Sequence, residues 1–310
     1  MTIAFVHNNR AFLPEIDAYI RFFTSFDVEC IIVGQDEIGL THRNVEWRFM
    51  GTDFTKPKQG IIRIHEYGSS SVPPNYKWKN WFKRFFNSQP DFRIFLNEYV
   101  KKSFRFHDRI PYGFRDMGIS PEWVDKSDQS IEKKYDFIYT GDLSPKRKPE
   151  RLLNCFTTGQ LQNKTLLLLG RDFERLAAVY KPYHNIIFDG PVSHNQVKEY
   201  ILQSSFGINY IPIEEPFTHQ TSTKFLEFAA CDIPIISSKY DWIENFQKEN
   251  GGNYYYLNDD LSNLSLDSLK SFDFRSPRLD NWSWEKQIRS SGVLEFLMTK
   301  FPATIKTNKQ

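Results

Sequence analysis

The sequence is poor in cysteine and contains no long apolar run. Its 310 residues include three cysteines, which lie far apart without CxxC spacing, so neither a disulfide framework nor a zinc site is indicated. No stretch of about 18 apolar residues occurs, so we expect no transmembrane helix. The opening residues MTIAFVHNNR lack the charged start and long apolar stretch of a signal peptide. These absences predict a cytoplasmic protein with reduced cysteines.

Charge of one sign is lacking too. The chain has 40 Lys and Arg against 38 Asp and Glu, a formal net charge of +2. Because nucleic-acid-binding domains are usually strongly basic, no nucleic-acid partner is expected and any basic patch must be local. Aromatic residues, in contrast, make up 16% of the chain. Some of them are expected at surfaces that bind something, since a core cannot hold them all.

Short apolar runs alternate with segments of helical periodicity. The predicted strands are residues 2–6, 30–34, 61–67, 91–98, 135–141, 165–170, 185–190, 206–213 and 234–238. The alternation predicts an α/β protein, and the length suits two domains. We therefore expect two Rossmann-like domains whose parallel sheets face a cleft, which is where ligands usually bind in such proteins.

A polar, charged segment at 120–134 marks the expected linker between these domains. We accordingly place an N-terminal domain at residues 1–133 and a C-terminal domain at 134–284. Residues 285–310 are expected to form a helix that packs back on the N-terminal domain, followed by a flexible tail.

The first candidate ligand-binding segment follows the strand at 135–141. The strand ends at Gly141, and Arg147 and Lys148 precede a helix predicted from Pro149. Glycine lets the backbone approach a ligand, and a helix N-terminus with basic side chains favours an anion. The pattern predicts a phosphate site, and a solvated basic loop remains the alternative.

The second segment lies around the start of the next predicted helix. Thr221, Ser222 and Thr223 supply hydroxyls just before or at that start, and Lys224 adds a positive charge. Glu227 is expected in the first turn, with Thr223 as a possible cap. A carboxylate there is either favoured by the helix dipole or available to accept hydrogen bonds from two ribose hydroxyls.

Glycines end two further strands of the C-terminal half. Gly170 and Gly190 follow LLLL and IIFD, at the edge of the sheet where ligands bind. A glycine after a strand is common, so neither position is specific by itself.

Together these segments resemble the retaining, nucleotide-sugar-dependent glycosyltransferases of the GT-B fold, of the family-four type. The matching positions are Gly141, Arg147 and Lys148 in the loop, Phe188, Gly190 and Val192 in the following strand region, and Lys224, Glu227, Phe228, Ala230, Pro234, Ile235 and Ile236 in the donor motif. The stretch WSWEKQI also resembles the entry to that family's C-terminal helix. The resemblance covers residues 135–300 well and 1–130 in outline.

The resemblance implies a donor site in the C-terminal domain and an acceptor site in the N-terminal domain. Gly141, Gly190 and the segment from Thr221 to Lys224 would bind the donor phosphates, and Glu227 the ribose. Arg147, Lys148 and Lys224 would stabilise the charge that develops on the leaving phosphate. No Asp-x-Asp pair occurs in the chain, which fits metal-free chemistry, and no cofactor is expected.

Two positions depart from the family pattern. His219 stands where the family has a second Glu, and Asp142 stands where a basic residue often follows the glycine. A histidine can donate a hydrogen bond where a carboxylate only accepts, so the identity of the sugar is affected. We keep His219 as a candidate catalytic residue.

In the N-terminal half, polar side chains follow two predicted strands and would face the acceptor. They are His7, Asn8 and Asn9 after the first strand, and His65, Glu66 and Tyr67 at the end of the strand at 61–67. His65 is the candidate catalytic residue among them, and a hydrogen-bonded structural histidine is the alternative.

Residues 76–86, YKWKNWFKRFF, interleave basic and aromatic side chains. This pattern is typical of an amphipathic helix at a membrane surface, and also of a stacking platform for single-stranded nucleic acid. The remaining alternative is a helix that packs its aromatic residues on the core and exposes its lysines.

We therefore expect a glycosyltransferase that moves a sugar from a nucleotide-sugar to a hydroxyl of a glycan or lipid-linked acceptor, with retention and without metal. Its expected role is the synthesis of lipopolysaccharide, capsule or another surface polysaccharide, as a cytoplasmic or peripheral membrane protein. A catalytically inactive GT-B-like module that binds a glycan or a partner protein is the alternative. An epimerase or hydrolase of the same fold is a second alternative, but the sequence shows no convincing acid and base residues for it.

Overall fold

The computed structural model describes residues 1–7, 13–71, 74–124 and 131–302. The chain divides into two compact units, one made of Met1–Gly118 with Asn281–Gln310 and the other of Ile119–Asp280. The linker expected at 120–134 begins inside the second unit, because Pro121–Val124 forms a short helix there with Trp123 buried. All three cysteines are free thiols.

The first unit is built on a six-stranded parallel sheet with strand order β2-β1-β3-β4-β5-β6. Its strands are Thr2–Val6 (β1), Glu29–Val33 (β2), Val45–Phe49 (β3), Ile62–Tyr67 (β4), Phe92–Phe95 (β5) and Tyr112–Phe114 (β6). Its first helices are Pro14–Thr24 (α1), Tyr76–Phe86 (α2) and Glu98–Phe104 (α3). The apolar face of α1 packs on the sheet through Ile16, Tyr19 and Phe23, as the helical spacing predicted.

Strand β3 was not predicted from the sequence, because its residues VEWRF include charged side chains that suggest a surface. Glu46 and Arg48 are nevertheless buried and paired with each other, with Arg48 Nε 2.6 Å from Glu46 Oε1. Arg63 lies 2.9 Å from the same carboxylate and 3.3 Å from Asp53. Buried charges are tolerated when they are paired, so this network allows a charged segment to form a central strand.

The second unit contains another six-stranded parallel sheet, with strand order β12-β11-β10-β7-β8-β9. Its strands are Tyr135–Thr140 (β7), Leu166–Leu169 (β8), Ile186–Phe188 (β9), Ser204–Asn209 (β10), Ile235–Ser238 (β11) and Tyr255–Leu257 (β12). Its helices are Pro121–Val124 (α4), Pro149–Asn154 (α5), Glu174–Tyr180 (α6), His194–Leu202 (α7), Thr223–Ala230 (α8), Asp241–Asn250 (α9) and Leu266–Ser271 (α10). The two parallel sheets with their helices confirm the predicted α/β class.

The C-terminal segment forms two helices where the sequence suggested one. Trp284–Ser290 (α11) and Val293–Lys300 (α12) are separated at Gly292, whose φ of +69° is a conformation that glycine adopts without strain. Ile288 and Leu294 are buried in the core of the first unit. Residues 303–310, the expected tail, lie outside the described part of the chain.

Most aromatic side chains of helix α2 are exposed, so the alternative in which they pack on the core is wrong. Asn80 is the buried residue of this helix, and its side chain donates to Ser70 and accepts from the backbone of Ser71. Four exposed aromatic side chains form what we call the α2 aromatic surface, and Phe54 adjoins it through an edge contact with Phe82. These four are Trp78, Trp81, Phe85 and Phe86. No helix in the described ranges is long and apolar enough to cross a membrane.

Candidate functional site

Three glycines shape the carboxyl edge of the second sheet. Gly141 follows β7 with a φ of +116°, and a Cβ there would lie 3.8 Å from Lys224 Cε. A Cβ on Gly170, after β8, would lie only 1.9 Å from the carbonyl oxygen of Gly141. The N–H of Gly170 in turn donates to the carbonyl of Gly190, which follows β9 with a φ of +59°. The glycines let the loops after three neighbouring strands approach closely, so backbone groups border this edge.

Lys224, in the first turn of α8, reaches the same edge. Its Nζ lies 3.8 Å from the centre of the Tyr139 ring and 3.5 Å from the carbonyl oxygen of Tyr210. Burial, together with the positive charge of Arg147, holds the pKa of Lys224 well below its usual range. An ammonium in such surroundings gains from an anion, because the anion would compensate both the burial and the neighbouring charge.

The start of α8 is capped by Ser222 rather than Thr223. The Ser222 hydroxyl accepts from the backbone N–H of Phe225 and donates to Asn209 Oδ1 at 2.6 Å. This hydroxyl therefore holds the helix start in place. Thr221 and Thr223 flank it and are half-buried.

Glu227 lies in the second turn of α8, so its expected placement in the first turn is wrong. The helix begins at Thr223, and no acidic residue occupies its first turn. A position beyond the first turn gains little from the helix dipole. The dipole explanation for Glu227 is therefore weakened, and a specific contact is needed to explain a carboxylate that is only 7% exposed.

His194 provides that contact, and the sequence analysis did not identify it. His194 Nε2 lies 2.8 Å from Glu227 Oε1. The Trp123 ring packs on the imidazole, with the ring centres 5.0 Å apart. One signal was available in the sequence, because His194 follows the strand-ending Gly190 by four positions and the chain is therefore still close to the same sheet edge there.

The two basic residues before α5 diverge. Arg147 Nε lies 3.8 Å from Asp142, and its guanidinium lies 4.2 Å from the centre of the Phe217 ring. Lys148, with a φ of +50°, instead forms an ion pair with Glu214. Arg147 is thus the residue of this pair whose charge acts on Lys224.

Lys148 lines a cavity of about 260 Å³ beside the ends of β10, β11 and β12. Arg151, Tyr210, Lys239 and Asn258 are among the other lining residues. The structure therefore brings Gly141, Arg147 and Lys224 together but turns Lys148 toward different neighbours.

His219 is engaged with acidic side chains. It ends a short 3₁₀ turn, Phe217–His219, and its Nδ1 lies 3.1 Å from Asp241 while its Nε2 lies 3.9 Å from Glu215. The side chain is 27% exposed, so it remains reachable by a ligand.

The N-terminal candidates at the end of β4 are buried. His65 is fully buried, its Nε2 lies 3.3 Å from Asp53, and burial lowers its pKa. Tyr67 stacks on Phe95 with ring centres 5.2 Å apart. This favours the structural role for His65 that the sequence left open, because a side chain without exposed surface cannot touch an acceptor.

Glu66 belongs to a second buried network. It accepts a hydrogen bond from Trp47 Nε1 at 2.8 Å and forms an ion pair with Arg115, which is fully buried. Arg115 also lies 3.4 Å from Glu15 at the start of α1. One buried cation thus serves two buried carboxylates.

The candidates after β1 are only partly described. The backbone N–H of His7 donates to Val33 at 3.0 Å, which extends the pairing of β1 with β2. Asn8 and Asn9 lie outside the described residues. Asn97, which was expected to end a strand, instead caps α3 by accepting from the N–H of Val100 at 3.0 Å.

No family model matches this chain, and no curated protein sequence matches it. Solved structures do resemble it. AviGT4, a glycosyltransferase involved in avilamycin A biosynthesis, is 12% identical with a TM-score of 0.64, over 98% of this chain and 99% of its own. Methanocaldococcus jannaschii UDP-GlcNAc 2-epimerase, solved with UDP-GlcNAc and UDP, is 11% identical with a TM-score of 0.54, over 96% of this chain and 100% of its own.

A third similar structure is Anabaena HepE in complex with UDP-glucose, 10% identical with a TM-score of 0.54, over 98% of this chain and 92% of that one. The chain has the GT-B fold. At these identities the likeness is one of fold. The glycine-lined edge with Arg147 and Lys224 lies in the second of the two units of this GT-B chain.

Within the described ranges, no group of three or more His, Cys, Asp or Glu side chains could hold a metal ion. Metal independence remains a prediction from the sequence.

Proposed function

We propose that this GT-B protein is a glycosyltransferase that moves a sugar from a nucleotide-sugar donor to a hydroxyl of a glycan or lipid-linked acceptor. The observation that carries the proposal is that two cations, Lys224 and Arg147, lie near each other beside Gly141. This sheet edge is where ligands of α/β proteins bind. Both cations are half-buried, and the net effect of their surroundings on Lys224 is to disfavour its charge, so a diphosphate would stabilise them.

The donor site would be organised along α8 and the loops beside it. Gly141 and Gly190 would offer backbone groups, and Lys224 and Arg147 would neutralise the charge that develops on the departing diphosphate. Glu227 would accept hydrogen bonds from the ribose hydroxyls. Thr221 and Thr223 would add hydroxyl donors near the helix start. Ser222 would instead hold the start of α8 in place, and Lys148 would hold its loop through the ion pair with Glu214.

Retention, metal independence and a role in surface polysaccharide synthesis follow from the family resemblance and are part of this proposal. The solved structures of the same fold include a transferase and an epimerase. The sequence shows no convincing pair of acid and base residues for an epimerase, so we favour transfer.

Ligand-induced stabilisation tests the donor site. Purified protein is melted with a panel of nucleoside diphosphates and nucleotide-sugars, beside Glu227→Ala and the control Glu249→Ala, which removes an exposed carboxylate on α9. A ligand at 100 times its Kd stabilises the native state by about 2.7 kcal/mol. We expect one nucleotide to raise the Tm of the wild type and the control but not of Glu227→Ala.

The same ligand then separates the functions. Release of nucleotide from the donor in the presence of a glycan acceptor indicates transfer, and the anomeric configuration of the product reports retention. An epimerised nucleotide-sugar indicates the epimerase. A binding signal without any turnover indicates the inactive module, and no shift at millimolar ligand overturns the donor site.

The α2 aromatic surface supports contact with the inner face of the plasma membrane as part of the proposal. Trp78 is 64% exposed and Trp81 48% exposed, and Lys77 and Lys79 are exposed on the same helix. Large aromatic rings with flanking cations are typical of helices that lie in an anionic lipid interface. The occupant that we propose for this surface is therefore an anionic membrane.

Vesicle co-sedimentation tests this contact. We expect binding to phosphatidylglycerol vesicles, weaker binding to phosphatidylcholine, and a strong loss in a Trp78→Ser/Trp81→Ser double variant. Tyr183→Ser, which removes an exposed aromatic ring from the second unit, is the control. Equal sedimentation of the double variant and the wild type, or binding of a single-stranded oligonucleotide instead of vesicles, would contradict the membrane assignment.

A further inference from the structure

His194 occupies a defined place in the second unit. It is the first residue of α7 and lies just after the Gly190 loop. The preceding Ser193 forms a capping box with Gln196, whose side chain accepts from the Ser193 hydroxyl at 2.6 Å and from its backbone N–H at 3.2 Å. The capping box fixes the start of the helix, and therefore the position from which the imidazole projects.

The imidazole is held between two partners. On one side, its Nε2 lies 2.8 Å from Glu227 Oε1, and Glu227 is buried while the His194 side chain is 27% exposed. On the other side is Trp123, which is itself buried on α4. Lys198 of α7 donates to the carbonyl of Glu122 at 2.7 Å, which ties α4 to α7.

This contact has a direction. An ionised carboxylate only accepts hydrogen bonds, so Nε2 carries the hydrogen and donates it to Glu227 Oε1. Each carboxylate oxygen has two acceptor positions, so one bond to His194 leaves further positions open on both oxygens. A bond of fixed direction on Oε1 restricts rotation of the carboxylate plane.

We infer that His194 is a positioning residue, which orients the Glu227 carboxylate so that its remaining acceptor positions receive the two adjacent hydroxyls of a ribose. The inference rests on the proposed function, because it concerns the same donor site. It extends that function by assigning the preference for a ribonucleotide over a 2′-deoxyribonucleotide to Glu227 and His194. Glu227 would contact the ribose, and His194 would act on the ribose only through Glu227.

The consequence is measurable as a ratio of affinities. A carboxylate held in one plane can bond both hydroxyls at once, so loss of the 2′-hydroxyl costs a charge-assisted hydrogen bond, which corresponds to a fall in affinity of about tenfold or more. A carboxylate that rotates freely loses most of that difference. His194 therefore affects the ratio of the two dissociation constants rather than phosphate affinity.

Calorimetric titration of the full-length protein tests this inference. The probes are UDP, GDP, ADP and TDP, each compared with its counterpart that differs only at the 2′ position. His194→Phe keeps a ring against Trp123 but cannot donate to Glu227, whereas His194→Gln restores a donor near the position of Nε2. Lys224→Met serves as a comparison, because it should weaken binding of the phosphates rather than of the ribose.

We expect the wild type to bind a ribonucleotide at least about tenfold more tightly than its 2′-deoxy counterpart. His194→Phe should lower this ratio to near one, His194→Gln should restore most of it, and Lys224→Met should weaken both ligands while the ratio stays. The inference would be overturned if His194→Phe showed the same ratio of dissociation constants as the wild type. It would also be overturned if the wild type itself showed a ratio near one. In both cases nucleotide binding, and with it the proposed function, would stand. Absence of binding to every probe would overturn both.

Discussion

Replacement of Lys224 by methionine is expected to change affinity and stability in opposite directions. The folded state lowers the pKa of Lys224 because the ammonium is buried and lies near Arg147. A cation whose pKa is lower in the folded than in the unfolded chain destabilises the fold at every pH below the unfolded value, near 10.4. Lys224→Met keeps an apolar chain over the Tyr139 ring and removes the charge, so the Tm at neutral pH should rise.

The affinity for a nucleoside diphosphate should fall. A hydrogen bond to a charged group contributes about 1.5–3 kcal/mol, which is roughly a 10- to 150-fold change in Kd. The corresponding nucleoside without phosphates should bind both proteins equally. Lys181→Met, which removes an exposed lysine after α6, is the matched control and should change neither quantity.

The same reasoning predicts a pH dependence. A bound diphosphate raises the pKa of Lys224, so binding takes up a proton between the lowered pKa of the free protein and the higher pKa of the complex. Affinity should therefore decrease as the pH rises through that window, and calorimetry in buffers of different ionisation enthalpy should detect the proton. Lys224→Met should bind without this uptake. A variant with lower Tm and unchanged diphosphate affinity would refute the reasoning.

Three further predictions concern the scaffold and are read by chemical denaturation. Arg115→Met should lower the free energy of unfolding by about 3–5 kcal/mol, because it leaves two buried carboxylates without their cation, and a loss below 1 kcal/mol would contradict that account. Gly170→Ala should cost about 1–3 kcal/mol, because its Cβ would overlap the carbonyl of Gly141, whereas Gly39→Ala, which meets nothing within 4 Å, should not. Asn97→Ala should cost about 1 kcal/mol through loss of the α3 cap, and an unchanged denaturation midpoint would show that the cap is dispensable.

The electrostatics of the site distinguish residues that the sequence grouped together. Arg147 and Lys148 are adjacent and both match the family loop, yet only Arg147 contributes its charge to Lys224, while Lys148 pairs with Glu214. The positive φ of Lys148 turns the chain between them, so neighbouring side chains leave in different directions. Lys148→Met should therefore weaken diphosphate binding less than the same change at Arg147.

Patterns within a few residues were sufficient for most of the fold. Strands such as β1, β8 and β9 are almost entirely apolar, and such runs are stable mainly when both faces of a parallel sheet are covered. The spacing of Lys224 and Glu227 on one helix also follows from the sequence. The α/β class, the start of α8 and the glycine that ends β7 could thus be predicted without tertiary information.

Contacts between distant residues decided the rest. Strand β3 forms because Glu46 and Arg48 find buried partners. His65, expected at a ligand-binding edge, instead lies within β4 and is fully buried. His194 and Glu227 are 33 positions apart, and only the packing of α7 beside α8 makes them partners. Sequence determined which side chains stand at the edge of the sheet, because backbone periodicity is local. Tertiary structure decided which of them are charged, buried or paired, because those properties depend on neighbours that the chain brings in from far away.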